Sequence, residues 1–171
     1  RLRAPDGSLV APNAFLPAAE RFSMMADIDR WVIRHAFQVL RDHNLGETPT
    51  GLSIHLSTQS LTHGDLNRYI TDCLVEFNVD PRAVIFEITE SGALNHVEGV
   101  RHLIQELKPF GCRFALADFG IGFSSLAHLK HLDCDFLKID GSFIQGLLND
   151  PVDLAVISAI TNIAHSIGKT T

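Results

Sequence analysis

Glu87 and Lys138 are the side chains in this sequence whose placement most needs a chemical reason. Each stands inside a short β-rich run, Phe86-Glu87-Ile88-Thr89 in one case and Leu137-Lys138-Ile139-Asp140 in the other. A carboxylate or an ammonium buried unpaired among such neighbours costs several kcal/mol or more. The two must therefore meet each other, a metal or a ligand. A third run repeats the pattern, with Ser53, His55 and Ser57 alternating with Leu52, Ile54 and Leu56. Side chains two apart on a strand share a face, so each run offers polar groups to one side and apolar groups to the other. Two readings stay open from the residues alone: a buried Glu87–Lys138 ion pair, or a site that uses both charges.

The elements that must position these groups recur in a strand and helix rhythm. β-rich runs over Gly51 to Ser57, Ala83 to Thr89, Arg113 to Asp118 and Phe136 to Asp140 are spaced by about thirty residues or less, with helical patterns in most of the gaps. One helix follows Asp65 and aligns Leu66, Tyr69, Ile70, Cys73, Leu74 and Phe77. Asn95 with Glu98 marks the start of another, carrying Val97, Val100, Leu103, Ile104 and Leu107. Asp150-Pro151 opens a third, with Leu154, Ile157, Ile160, Ile163, Ala164 and Ile167 on one face and Gly168 at its end. Earlier, Ile28, Trp31, Val32, His35, Ala36 and Val39 outline an amphipathic helix. Such alternation gives parallel strands with crossover helices. In a doubly wound sheet both strand faces meet helices and are apolar, whereas a barrel strand turns one face to a lumen. The polar face here selects an α/β fold of the TIM-type (β/α) barrel kind.

The chain has 171 residues, 46% of them apolar, enough for one well-filled core and a single compact unit. With 14 basic and 20 acidic residues the formal charge is −6, which argues against a DNA duplex or an anionic membrane as the partner and leaves room for a small anion in a local pocket. Cys73, Cys112 and Cys134 lie in or beside apolar segments without metal-type spacing and read as reduced core residues of a cytoplasmic protein, or of the cytosolic part of a membrane-anchored one. Both ends read as cut. No methionine opens the chain, and Lys169-Thr170-Thr171 stops just after a helix, where another strand is expected.

Three segments become specific when taken in order: Phe86 to Ser91 (Phe-Glu-Ile-Thr-Glu-Ser), Ala117 to Leu126 (Ala-Asp-Phe-Gly-Ile-Gly-Phe-Ser-Ser-Leu), and Leu137-Lys138-Ile139-Asp140 followed by Ser142-Phe143. Together they resemble the signature segments of EAL domains, and the resemblance runs through Pro12 to Glu20, Ile28 to Val32 and Ile54 to Ser57 as well. It implies a TIM-type barrel with an antiparallel first strand, present here over residues 1–171 without its first strands and last units, since such barrels need roughly 250 residues. It also implies a two-metal site, magnesium or manganese, that linearises cyclic di-GMP to pGpG at the carboxyl ends of the strands. By the same resemblance Glu87 is a metal-ligand glutamate and Lys138 the lysine that orients water and phosphate. Arg1 is a phosphate-contacting arginine, and Asp118 is the second member of an aspartate pair. Glu90 pins the loop from Gly120 to Ser125, which in the family couples dimerisation to order at the metals. Asp140 is placed with Arg1 and Asp118 on the ligand. Such modules sit in multidomain signalling proteins, often beside a GGDEF domain.

This sequence departs from the pattern at two ligand positions. The first aspartate of the pair is Ala117, whose methyl group coordinates nothing, and the asparagine ligand is His55, a nitrogen donor ill suited to magnesium. The favoured expectation is therefore a catalytically impaired receptor or regulatory module. An active phosphodiesterase rebuilt from His55 and Asp118 is the alternative, and a scaffold that binds neither nucleotide nor metal is a third. Some features read as bland. His55 alone suits a hydrogen-bonded lumen residue, Thr89 and Ser57 suit satisfied buried polar groups, and His128 and His131 suit a solvated face. Gly168-Lys169-Thr170 lacks the leading glycine of a phosphate-binding loop, and Gly120-Ile121-Gly122 lacks the third glycine of a dinucleotide fingerprint.

Overall fold

The computed structural model describes residues 2–43, 51–62, 64–121, 129, 132–147 and 150–171. Arg1, residues 122–125 of the expected loop, His128 and His131 lie outside the described residues.

Four parallel strands, β3 (Leu52–His55), β4 (Val84–Thr89), β5 (Arg113–Phe119) and β6 (Phe136–Ile139), lie side by side in chain order. Each coincides with one of the runs read from the sequence. Ahead of them, β1 (Leu2–Arg3) and β2 (Leu9–Val10) form a small antiparallel hairpin, and α1 (Pro12–Arg21) leads into α2 (Met25–Asp42). Between strands come α3 (Thr58–Leu61), α4 (Leu66–Phe77), α5 (Glu90–Asn95) and α6 (Val97–Leu107); after β6 come α7 (Gly141–Gly146) and α8 (Pro151–Ser166). Thr170 makes a parallel bridge to Phe136 on the outer edge of β6, where the next strand was expected. The sheet is open, an arc of the barrel architecture.

The core lies between this arc and its helices. Ile54, Phe86, Ile88, Phe114, Leu116 and Leu137 point one way and are nearly inaccessible, packed against Ile33, Phe37, Ile70, Leu74, Val100 and Ile104. The other face carries Ser53, His55, Glu87 and Lys138, as the alternation requires.

Two local expectations need correction. The buried stripe of α2 is Ala26, Asp29, Ile33, Phe37 and Leu40, not the face through Trp31, His35 and Val39. Val32 and Ala36 pack on the core's flank, while Trp31 is 58% exposed and stacks on His35. Both stripes have helical period, and the one with Phe37 and Ile33 buries more rigid apolar surface. Asn95 does not cap α6. The helical path begins earlier, at the Thr89 cap whose hydroxyl accepts from the Gly92 N–H, so Asn95 ends α5 and the chain kinks at His96 before α6. In contrast Asp150 caps α8 as expected, accepting from the Val152 N–H with Pro151 in the first turn. Only Ile160 and Ala164 of the α8 face are fully buried, and Leu154 is half exposed.

Candidate ligand site on the polar face of the sheet

Glu87 and Lys138 point into one open cleft. Lys138 Nζ donates to both carboxylate oxygens of Glu87 at 2.7 Å. Their strands are not neighbours: β5 runs between β4 and β6, which places the two backbones about 10 Å apart at the usual strand spacing. The contact forms because the intervening side chains on this face are small. Ala115 lines the cleft, and alternation puts Ala117, in register with Thr89, on the same side. The lysine reaches across two methyl groups.

Burial pushes the Glu87 carboxyl up, but the hydrogen bonds from Lys138 and Ser53 and the charges of Lys138 and His55 outweigh it, so the group sits below the ordinary glutamate range. The Glu87 side chain is 11% exposed and that of Lys138 52%, so the ammonium has a free side toward solvent. His55 pairs with Glu87 in the β3–β4 register, is exposed, and its charge acts on the Glu87 carboxylate. The cleft, about 580 Å³, is lined by Ser53, Ile85, Glu87, Ala115, Phe136 and Lys138, with Ile144, Ile157 and Thr161 closing one side. This is the size range of small-molecule sites.

At the carboxyl end of β5 the ladder is irregular. Leu116 pairs with Leu137 and Phe119 with Ile139, so Ala117 and Asp118 together oppose the single Lys138. Asp118 takes φ +56, a left-handed conformation that aspartate tolerates better than most residues, and its side chain is exposed. A bulge of this kind re-aims side chains beside functional sites. Glu90, 5% exposed at the start of α5, accepts from the Gly120 N–H at 3.1 Å. That contact places it on the first residue of the expected loop. Burial pushes its carboxyl up and the Gly120 bond only partly offsets this. Asp140 caps α7, one oxygen accepting from the Ser142 N–H at 2.7 Å.

The described residues do not fit a magnesium or manganese pair. Both Glu87 oxygens are taken by an ammonium, Ala117 supplies no donor, and among the described residues no three His, Cys, Asp or Glu side chains gather as a metal cluster. Lys169, the lysine of the rejected phosphate-loop match, is buried and donates to the carbonyls of Leu132 and Cys134. Ser57 is buried as expected, and its N–H donates to Asp29, a residue of the Ile28 to Val32 segment for which the sequence alone indicates no role. All three cysteines are free and buried. No described helix is long and apolar enough to cross a membrane.

A parallel α/β arc with apolar strand faces against helices and charged groups on the opposite face defines part of a (β/α)-barrel domain. The chain belongs to the EAL domain family, whose model matches residues 1–171. It is 33% identical over 165 residues to the cyclic di-GMP phosphodiesterase PdeF of Escherichia coli K12, covering 96% of this chain and 22% of that protein. It is 35% identical over 175 residues to the cyclic di-GMP phosphodiesterase PdeB of Shewanella oneidensis, covering 98% and 20%. The chain thus spans about a fifth of these curated relatives. Its fold is similar to that of the PaMucR phosphodiesterase in a c-di-GMP complex, with TM-score 0.91, 30% identity and coverage of 99% of this chain and 69% of that one. It is similar also to the FimX EAL domain from Pseudomonas aeruginosa bound to c-di-GMP, with TM-score 0.90, 32% identity and coverage of 99% and 68%.

Proposed function

We propose that this chain is the cyclic di-GMP-binding EAL module of a larger cytoplasmic signalling protein, and that it holds the nucleotide without a two-metal centre. The observation that carries this reading is the Glu87–Lys138 pair closed across Ala117. In a phosphodiesterase of the two-metal kind, carboxylates gather cations and the cations neutralise the phosphate. Here the Glu87 carboxylate already has its cation, an ammonium fixed to the chain. The outward side of Lys138 offers the phosphodiester a positive charge that needs no metal. A module of this kind reports nucleotide concentration to its neighbours in the chain. A cyclase domain of the GGDEF type is the first such neighbour to expect, because a relative 31% identical, MucR of Pseudomonas aeruginosa, is named as a bifunctional diguanylate cyclase and phosphodiesterase. The loop that begins at Gly120 is the segment through which a homodimer would form.

Calorimetric titration of cyclic di-GMP, in chelator and then in magnesium or manganese, tests the reading, with chromatography for the linear product. Binding unchanged by the metal, with no product, is the expected result. Ala117→Asp should add a carboxylate beside Lys138 and make manganese binding at least about tenfold tighter than in the parent. Turnover by the unmodified chain would return it to the hydrolases, and absence of binding would make it a scaffold.

A further inference from the structure

We infer that Asp29 is a positioning residue for this site, setting from the interior of α2 the turn that follows His55; the functional part of the inference rests on the reading above. Asp29 lies on the buried stripe of α2 between Ala26 and Ile33 and is 4% exposed. Among the described residues it has no ion-pair partner. One oxygen, Oδ2, accepts from the Ser57 N–H at 2.7 Å and from the Ser60 hydroxyl at 2.6 Å. A carboxylate at a core position is expensive compared with an apolar side chain of similar size, so its retention points to geometry rather than packing.

The geometry concerns the end of β3. Ladder pairing with β4 ends as the Leu56 N–H donates to the Glu87 carbonyl, and the next donor, Ser57, turns to Asp29. The two residues after His55 are therefore held from opposite sides, one by the strand that carries Glu87 and the other by α2. Gln59 ties the same turn to the junction of α1 and α2, accepting from the Met25 N–H at 3.3 Å and donating to the Glu20 carbonyl at 2.7 Å. On its far side the turn packs against the cap of α5: a Cβ built on Gly92 would lie 3.1 Å from Thr58 Oγ1 and 2.8 Å from Thr89 Oγ1. The helix so capped begins with Glu90, which holds Gly120. Asp29 thus fixes the spacing between α2 and two of the turns at the carboxyl end of the sheet, one following His55 and one following Glu87 by two residues. A shift of α2 in the intact protein reaches His55 through two hydrogen bonds to one oxygen atom.

Asp29→Leu and Asp29→Asn in the full chain separate positioning from packing. Because both donors converge on a single oxygen, the asparagine carbonyl accepts them both. Asp29→Asn should therefore keep cyclic di-GMP affinity and the His55 imidazole NMR signals of the parent. Asp29→Leu should stay folded, move the His55 signals, speed exchange of the Ser57 amide about tenfold or more, and weaken nucleotide binding by about tenfold. Where Asp29→Leu fails to fold, Ser60→Ala, which removes one donor only, should give the same changes at smaller size. Unchanged His55 signals and unchanged Ser57 exchange in a folded Asp29→Leu or Ser60→Ala protein would overturn the inference, as would an Asp29→Asn protein that behaves like Asp29→Leu. The imidazole and amide readouts need no nucleotide, so a parent chain that fails to bind cyclic di-GMP sinks the functional reading and leaves the positioning claim to be decided by them.

Discussion

Lys138 does at the scale of one residue what a bound cation does elsewhere: it permits a carboxylate to stay ionised with only 11% of its side chain exposed. The pH consequence follows from the direction of the shift. The Glu87 carboxyl in the folded chain sits below its ordinary value, so its contribution to stability is present above that value and fades as pH falls through the lowered one. Replacing Lys138 with methionine keeps the stem and removes the charge. Burial then acts on Glu87 against only the Ser53 hydrogen bond and the His55 charge, so its pKa should rise and the stability that the parent gains as pH climbs through the lowered value should shrink or change sign. At neutral pH the Lys138→Met protein should be less stable by about 1–2 kcal/mol, below the 3–5 kcal/mol of a fully buried pair because the ammonium is half exposed. Urea unfolding of both proteins from roughly pH 4 to 7 checks it: the parent should gain stability across that range relative to the variant.

At the scale of elements, the turns matter more than the strands. Gly92 follows Thr89 closely enough for its N–H to reach the Thr89 hydroxyl at 3.1 Å, and an added methyl would meet that same oxygen at 2.8 Å. Gly92→Ala should therefore break the cap and cost about 1–2 kcal/mol despite the better helix propensity of alanine. In a Thr89→Ala background part of that cost should vanish with the obstructing hydroxyl, leaving the 3.1 Å approach to Thr58 Oγ1; thermal unfolding of the four proteins of the cycle measures the coupling. This turn also shows what was legible in the sequence. The strands of the sheet announced themselves through alternation with period two, and with them the common face of Glu87 and Lys138. Thr89 and Asn95 compete as caps in the sequence, because both precede acceptable helical patterns and only packing of α5 on β5 decides. The stripe of α2 is ambiguous for a related reason: two apolar stripes of helical period compete, and the core chooses the one with Phe37. Asp29 stands in the family-like segment Ile28 to Val32, yet its role is not legible there, since its partners lie 28 and 31 residues away. The bulge at Ala117 and Asp118 was equally hidden, for it is a mismatch in length between two strands and has no local signature.

At the scale of the whole molecule, the three cysteines report on whether this arc unfolds as one body. Cys73 lies on α4, Cys112 ahead of β5 and Cys134 ahead of β6, and all three belong to the same continuous apolar core. Burial pushes the Cys112 thiol up to about 12 and raises those of Cys73 and Cys134 as well. Disulfide exchange requires the thiolate, so at pH 8 a thiol at that value is ionised to only about one part in ten thousand, and access is closed besides. Reaction with an aromatic disulfide reagent must then await opening. If β3 to β6 and their helices share one cooperative transition, the three thiols should react at a common rate at high reagent concentration, and low urea should accelerate all three with the same slope. Peptide mapping after a quenched pulse assigns the rates. Earlier labelling of Cys134 than of Cys73 and Cys112 would mean that β6 and α8 separate from the remaining strands as their own unit. Lys138 would then leave Glu87 before the rest of the core gives way, and the site would open by local unfolding at its edge rather than by motion within an intact sheet.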